Sequence, residues 1–138
     1  MEYWIQNSDF SSPEGLSENE PVQSAKQIIE IILAYDWARE NAFEEERMAG
    51  DGDSCPAGIG IMADDGHILH MCPKATQGTA TIYFHHKVPA KILGFISISK
   101  TQITTYEKIP LTKLESAIKN FLATEYDAII GSFQGYKS

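Results

Sequence analysis

Residues 79–124 carry the pattern that most restricts what this chain can become. Two strand-like runs, 79–87 and 95–106, are joined by a Pro-containing connection. After them Leu111, Leu114, Ile118, Phe121 and Leu122 recur at three- and four-residue spacing, which puts them on one stripe of a helix. The segment therefore reads as a pair of strands covered by a helix. Thr112 and Glu115 have the spacing of a capping box, in which the hydroxyl accepts from a first-turn amide while the carboxylate reaches back. Pro110 just before them excludes an earlier helix start.

The 138 residues fit one domain, 1–138, able to bury roughly two-thirds of its unfolded surface without disulfides or metal. The expected class is α+β, a mainly antiparallel sheet with two helices packed on it. Residues 1–10, with Tyr3, Trp4, Ile5 and Phe10, are too apolar for a free tail and suit an edge strand or a segment laid across the core. Residues 11–21 read as a loop, with Pro21 in the first turn of a helix running from Val22 to about Trp37 on the stripe Ala25, Ile28, Ile29, Ile32. A helix continuing to Met48 would bring Asp36 and Arg39 onto that stripe, so residues 41–48 are expected to break away as a short acidic strand. After a turn at 49–56, residues 58–64 and 67–72 flank Asp65-Gly66, the signal for a type I′ hairpin. Residues 125–138, with Ile129, Ile130, Phe133 and Tyr136, suit a last short strand or a docked tail.

Charge is distributed unevenly. Nineteen Asp and Glu against eleven Lys and Arg give net −8, which disfavours direct binding to a nucleic-acid backbone because the phosphates would be repelled. Residues 1–53 hold thirteen acidic and three basic side chains, net −10, while residues 54–138 hold six and eight, net +2. A field concentrated in this way steers an oppositely charged partner, although acidic surface also simply keeps a small protein soluble. The run Glu44-Glu45-Glu46, with Asp51, Asp53, Asp64 and Asp65, is best explained by solvation or by a basic partner, since three adjacent glutamates repel one another. No apolar run follows a basic N-terminal segment and none is long enough to span a bilayer; with only Cys55 and Cys72, the expectation is a cytoplasmic protein with no membrane contact.

Residue types that could carry chemistry are present without the spacing that chemistry needs. His67, His70, Cys72, Cys55, His85 and His86 include zinc-ligand types, yet on a strand His67 faces away from His70 and Cys72. A Cys72 or Cys55 nucleophile paired with one of these histidines lacks a helix N-terminus or oxyanion motif beside it. Asp51-x-Asp53 lacks the rest of a calcium loop, and Gly58-x-Gly60 lacks the third glycine and the helix of a dinucleotide fingerprint. These readings leave no cofactor and no enzymatic activity expected. Trp4, Trp37 and the tyrosines suit the core better than they suit binding anchors.

The order of elements across roughly residues 22–133, with the helix at 109–124 and its end Ile118-x-x-Phe121-Leu122-Ala123-Thr124, resembles small acidic immunity proteins of bacterial polymorphic toxin systems, the α+β type that accompanies deaminase toxins. Where that family commonly carries a proline and a tryptophan after the helix, this chain has neither from Tyr126 to Phe133. The resemblance implies a non-enzymatic inhibitor that binds a cognate toxin, a basic enzyme acting on nucleic acid, and blocks its active site or substrate groove. The toxin-binding residues would be Glu44, Glu45, Glu46, Asp51 and Asp53, with Asp64 and Asp65 joining if the hairpin lies alongside. The competing readings are an acidic nucleic-acid mimic or anti-defence inhibitor, and a small metal- or thiol-dependent hydrolase.

Overall fold

The computed structural model describes residues 1–6, 19–48 and 57–138, and within these not the side chains of residues 43–48, 75 and 92. In chain order the elements are β1 (Glu2–Gln6), β2 (Glu20–Pro21), α1 (Ala25–Ala34), α2 (Trp37–Met48), β3 (Gly58–Met62), β4 (Ile68–Lys74), β5 (Thr79–Ile92), β6 (Ile96–Pro110), α3 (Leu114–Leu122) and α4 (Tyr126–Phe133). The strands form one sheet in the order β2-β1-β3-β4-β5-β6, each neighbouring pair antiparallel. The α+β reading therefore holds, with two more helices than the periodicity suggested.

Strand alternation separates the two sheet faces. Ile59 and Ile61, Leu69 and Met71, Ile82 and Phe84, and Tyr106 point to one face, where Ile28 and Ile32 of α1, Leu114, Ile118 and Phe121 of α3, and Ile129 and Phe133 of α4 close over them in a single core. Register keeps this set together: Ile61 lies opposite Leu69, Leu69 opposite Phe84, and Ile82 opposite Tyr106.

Several local expectations are corrected. Residues 41–48 belong to helix α2, not to a strand. The chain leaves α1 at Tyr35, extended at ψ 143°, and Asp36 starts a fresh helix by accepting from the Arg39 amide at 3.0 Å. The break resets the helical frame, so Asp36 and Arg39 never share the stripe of Ile29 and Ile32. Pro21 pairs in β2 with Glu2 and is not in a helix; α1 starts after Ser24, whose side chain accepts from the Gln27 amide at 3.1 Å. Gln27 returns a contact to the Gln23 amide at 2.7 Å, so a capping arrangement exists at Ser24 and Gln27.

No such box forms at Thr112 and Glu115. Leu111–Lys113 is a 3₁₀ turn without a side-chain cap, the Leu111 amide is satisfied by the Gly78 carbonyl at 3.1 Å, and Glu115 pairs with Lys119 at 3.1 Å. The β3–β4 hairpin is tight but is not type I′, because positive φ occurs only at Gly66 (91°) and the loop holds three residues, Asp64 to Gly66, between the paired Ala63 and His67. The C-terminal segment is helix α4 and a docked end: Ser138 donates to the Thr105 carbonyl at 3.1 Å.

Candidate partner-binding site

Sheet order turns the uneven charge of the sequence into an uneven molecule. The acid-bearing N-terminal strands β1 and β2 form one edge and the lysine-bearing β5 and β6 the other. Glu2, Glu20, Glu30 and Asp36 are all exposed on the N-terminal elements. Glu44, Glu45 and Glu46 lie on the second half of α2; Asp51 and Asp53 lie outside the described residues.

Asp64 and Asp65 do not lie alongside α2. The Asn41 side chain donates to the Pro73 carbonyl at 3.1 Å, tying α2 to the C-terminal end of β4, whereas Asp64 and Asp65 sit in the turn before that strand. Seven residues, Gly66 to Cys72, separate Asp65 from Pro73, roughly 23 Å at strand rise. The expected set is thus divided between two ends of the sheet.

Asp65 is also occupied. Its Oδ1 takes the His67 amide at 3.0 Å and sits 2.9 Å from His67 Nδ1, and its Oδ2 accepts from the Tyr126 hydroxyl at 2.7 Å. Burial pushes this carboxyl up, but the bonds from His67 and Tyr126 outweigh it and hold the group at about 2. Tyr126 stacks on the His67 ring with centroids 3.8 Å apart, and its hydroxyl is raised by burial and by the bond to Asp65. His67 Nε2 accepts from the Lys87 amide at 3.2 Å, which assigns the ring proton to Nδ1. Both ring nitrogens are therefore engaged, and this Asp–His pair fastens the β3–β4 turn to α4 and β5. Asp64, with its side chain 99 % exposed, has only the N-terminal amine of Met1 nearby as an ion-pair partner, 3.9 Å from Oδ1, among the described residues.

The strand reading of His70 and Cys72 is met: both lie on the face away from the core, Cys72 Sγ 3.8 Å from His70 Nε2. Among the described residues no group of three or more His, Cys, Asp or Glu converges as metal ligands would, and Cys55 lies outside them.

Two apolar features occupy places where water would ordinarily be met. On the sheet face away from the helices, Trp4, Gln6, Ile68, His70, Tyr83, His85 and Ile103 line a hollow of about 330 Å³. Trp4 lies flat because its β3 neighbour is Gly60, where a Cβ would collide with the indole. Burial, and then the nearness of His85, lowers His70 to about 4, and burial lowers His85, so both rings are neutral around pH 7.

The second feature is an arm. β4 pairs with β5 only as far as Ile68 and His85, and beyond that β5 and β6 run on as a ribbon paired with each other through Ile92 and Ile96. Its tip exposes Leu93 (77 %) and Phe95 (75 %), with Ile96 and Ile98 behind them. From Gly66 to Tyr106 the sequence holds Lys74, Lys87, Lys91 and Lys100 and no carboxylate.

These surfaces were missed because sequence patterns favour the core reading for any aromatic. The signal that could have found them is parity: Tyr83 and Ile103 fall on the alternate positions left over after the core face is filled, and Leu93-Gly94-Phe95 puts apolar residues in a turn. No family model, no curated protein and no solved structure matches this chain.

Proposed function

We propose that this protein is a non-enzymatic immunity protein that binds and neutralises a cognate basic toxin acting on nucleic acid. The observation that carries the reading is the segregation of charge, net −10 in residues 1–53 of the sequence, with Glu2, Glu20, Glu30, Asp36 and Glu44 to Glu46 on or beside β1, β2, α1 and α2. An acid-rich half of a small domain steers a basic enzyme and competes with nucleic acid for its groove. Within this reading Glu44, Glu45 and Glu46 on α2 form the first contact set and Asp64 a separate one, while Asp65 serves the fold. The alternating-face chemistry of His70 and Cys72 plays no part in it.

The test is neutralisation. A toxin domain encoded by the adjacent upstream gene should arrest growth when expressed alone, and co-expression of this chain should restore growth with a one-to-one complex recoverable. Growth arrest that persists while the protein is soluble and folded, or the lack of any toxin domain in the neighbouring gene, would remove the reading.

A further inference from the structure

The arm and the hollow complement each other, and a single chain cannot bring them together, since both belong to one continuous sheet. We propose that Leu93 and Phe95 at the arm tip dock into the Trp4, Tyr83 and Ile103 hollow of a second copy of this chain, reciprocally, in a two-fold dimer.

The tip is built as a plug. Leu93 holds a left-handed backbone (φ 56°) ahead of Gly94 (φ 80°), a conformation that strains a leucine because its Cβ crowds the following carbonyl. Stability alone favours Gly or Asn there, and the Leu93 side chain, 77 % exposed, gains little burial to offset the strain. A hollow with indole, phenol and neutral imidazole walls matches an aromatic and an aliphatic plug. Charge agrees. Lys87, Lys91 and Lys100 on the arm would approach a copy whose exposed Glu2 lies two residues from Trp4 along β1, at the acidic edge. The contact is isologous, because each copy gives its plug and receives its partner's, and the two-fold closes it.

Sedimentation equilibrium across a wide concentration range tests this. The parent should associate to a dimer; Phe95→Asp at the plug and Ile103→Asp at the rim, both exposed positions, should each weaken it by roughly tenfold to a hundredfold without loss of fold. An equimolar mixture of these two variants retains one intact plug-and-hollow contact, and should dimerise more tightly than either alone. Leu93→Asn should raise unfolding stability while weakening the dimer. A parent that stays monomeric at every concentration overturns the proposal, including one that is captured by anionic phosphatidylglycerol vesicles, which would assign the arm to a lipid surface. Association lost in Phe95→Asp but unchanged in Ile103→Asp also overturns it, because the arms would then meet each other.

Discussion

The Lys87 amide donates to Nε2 of His67 at 3.2 Å, at the place where β4 has ended and β5 continues as the arm. This bond closes a chain that runs from Tyr126 through Asp65 and His67 into β5. A buried ring thereby fixes the root of an exposed ribbon. His67→Ala should leave the Lys87 amide without its acceptor and destabilise the fold by about 1–3 kcal/mol. Urea unfolding reads the loss, and hydrogen exchange should localise it, with faster exchange at Lys87.

Tyr126→Phe probes the other end of the same chain. The Asp65 carboxyl is held at about 2 partly by the Tyr126 hydroxyl, so it should rise towards the ordinary carboxylate range when that hydroxyl is removed. The folded carboxyl lies below its unfolded value of 3.8, so its stabilisation is present above that pH and lost as pH falls through about 2. Carboxyl-carbon NMR of Asp65 across an acid titration gives the shift directly; an unchanged midpoint would show that the amide and ring bonds of His67 suffice.

Phe121 is fully buried and meets Phe84 edge-on at 6.4 Å, at the centre of the contact between α3 and the sheet. Phe121→Ala should cost about 3–5 kcal/mol in equilibrium unfolding. A change below about half a kcal/mol would mean that the surrounding side chains collapse into the space, which the close packing of Phe84, Ile118 and Tyr126 opposes.

His70 sets a pH dependence of opposite origin from that of Asp65. Burial, reinforced by the nearby His85, favours its neutral ring, so the folded state releases its proton at about 4 where the unfolded chain does so near 6.5. The unfolded state then binds more protons between these values, and stability falls as pH drops from about 6.5 to about 4, by on the order of 3 kcal/mol at most. His85, lowered by its own burial, acts in the same direction, and the other walls around His70 are Trp4, Tyr83 and Cys72. His70→Gln should flatten that part of the unfolding-versus-pH curve.

The β4–β6 strands and the stripe of α3 could be read from sequence because one strong pattern, alternation followed by a three–four period, agreed with burial on a single face. Residues 41–48 could not. The extended Tyr35 and the capping Asp36 are single-residue events, and a periodicity window spanning them averages two helical frames into one conflict. The capping-box spacing occurs both at Thr112 and Glu115 and at Ser24 and Gln27; what separates them is the Gly78 carbonyl, a partner of the Leu111 amide 33 residues away that no local pattern contains. Asp65 looked like a surface acid because turns are acidic, and only the arrival of Tyr126, 61 residues later, makes it a structural one.

The separation of α2 from the Asp64 turn gives the acidic surface a testable internal structure. Acids on one continuous contact would show coupled effects, whereas sites roughly 23 Å apart, more than two Debye lengths at physiological salt, should act independently. Charge reversal at Glu45 should lower the association rate with the proposed basic toxin and flatten its salt dependence, since it reduces the steering field of the acid-rich half of the chain. Asp64→Lys should do the same only if the toxin spans both ends of β4, and the double variant should then equal the sum of the two in free energy. Stopped-flow association over a series of ionic strengths measures all three. Loss at Glu45 alone confines docking to the α2 end, loss at Asp64 alone moves it to the hairpin beside the arm, and rates unchanged in both variants would take the interface away from these acids altogether.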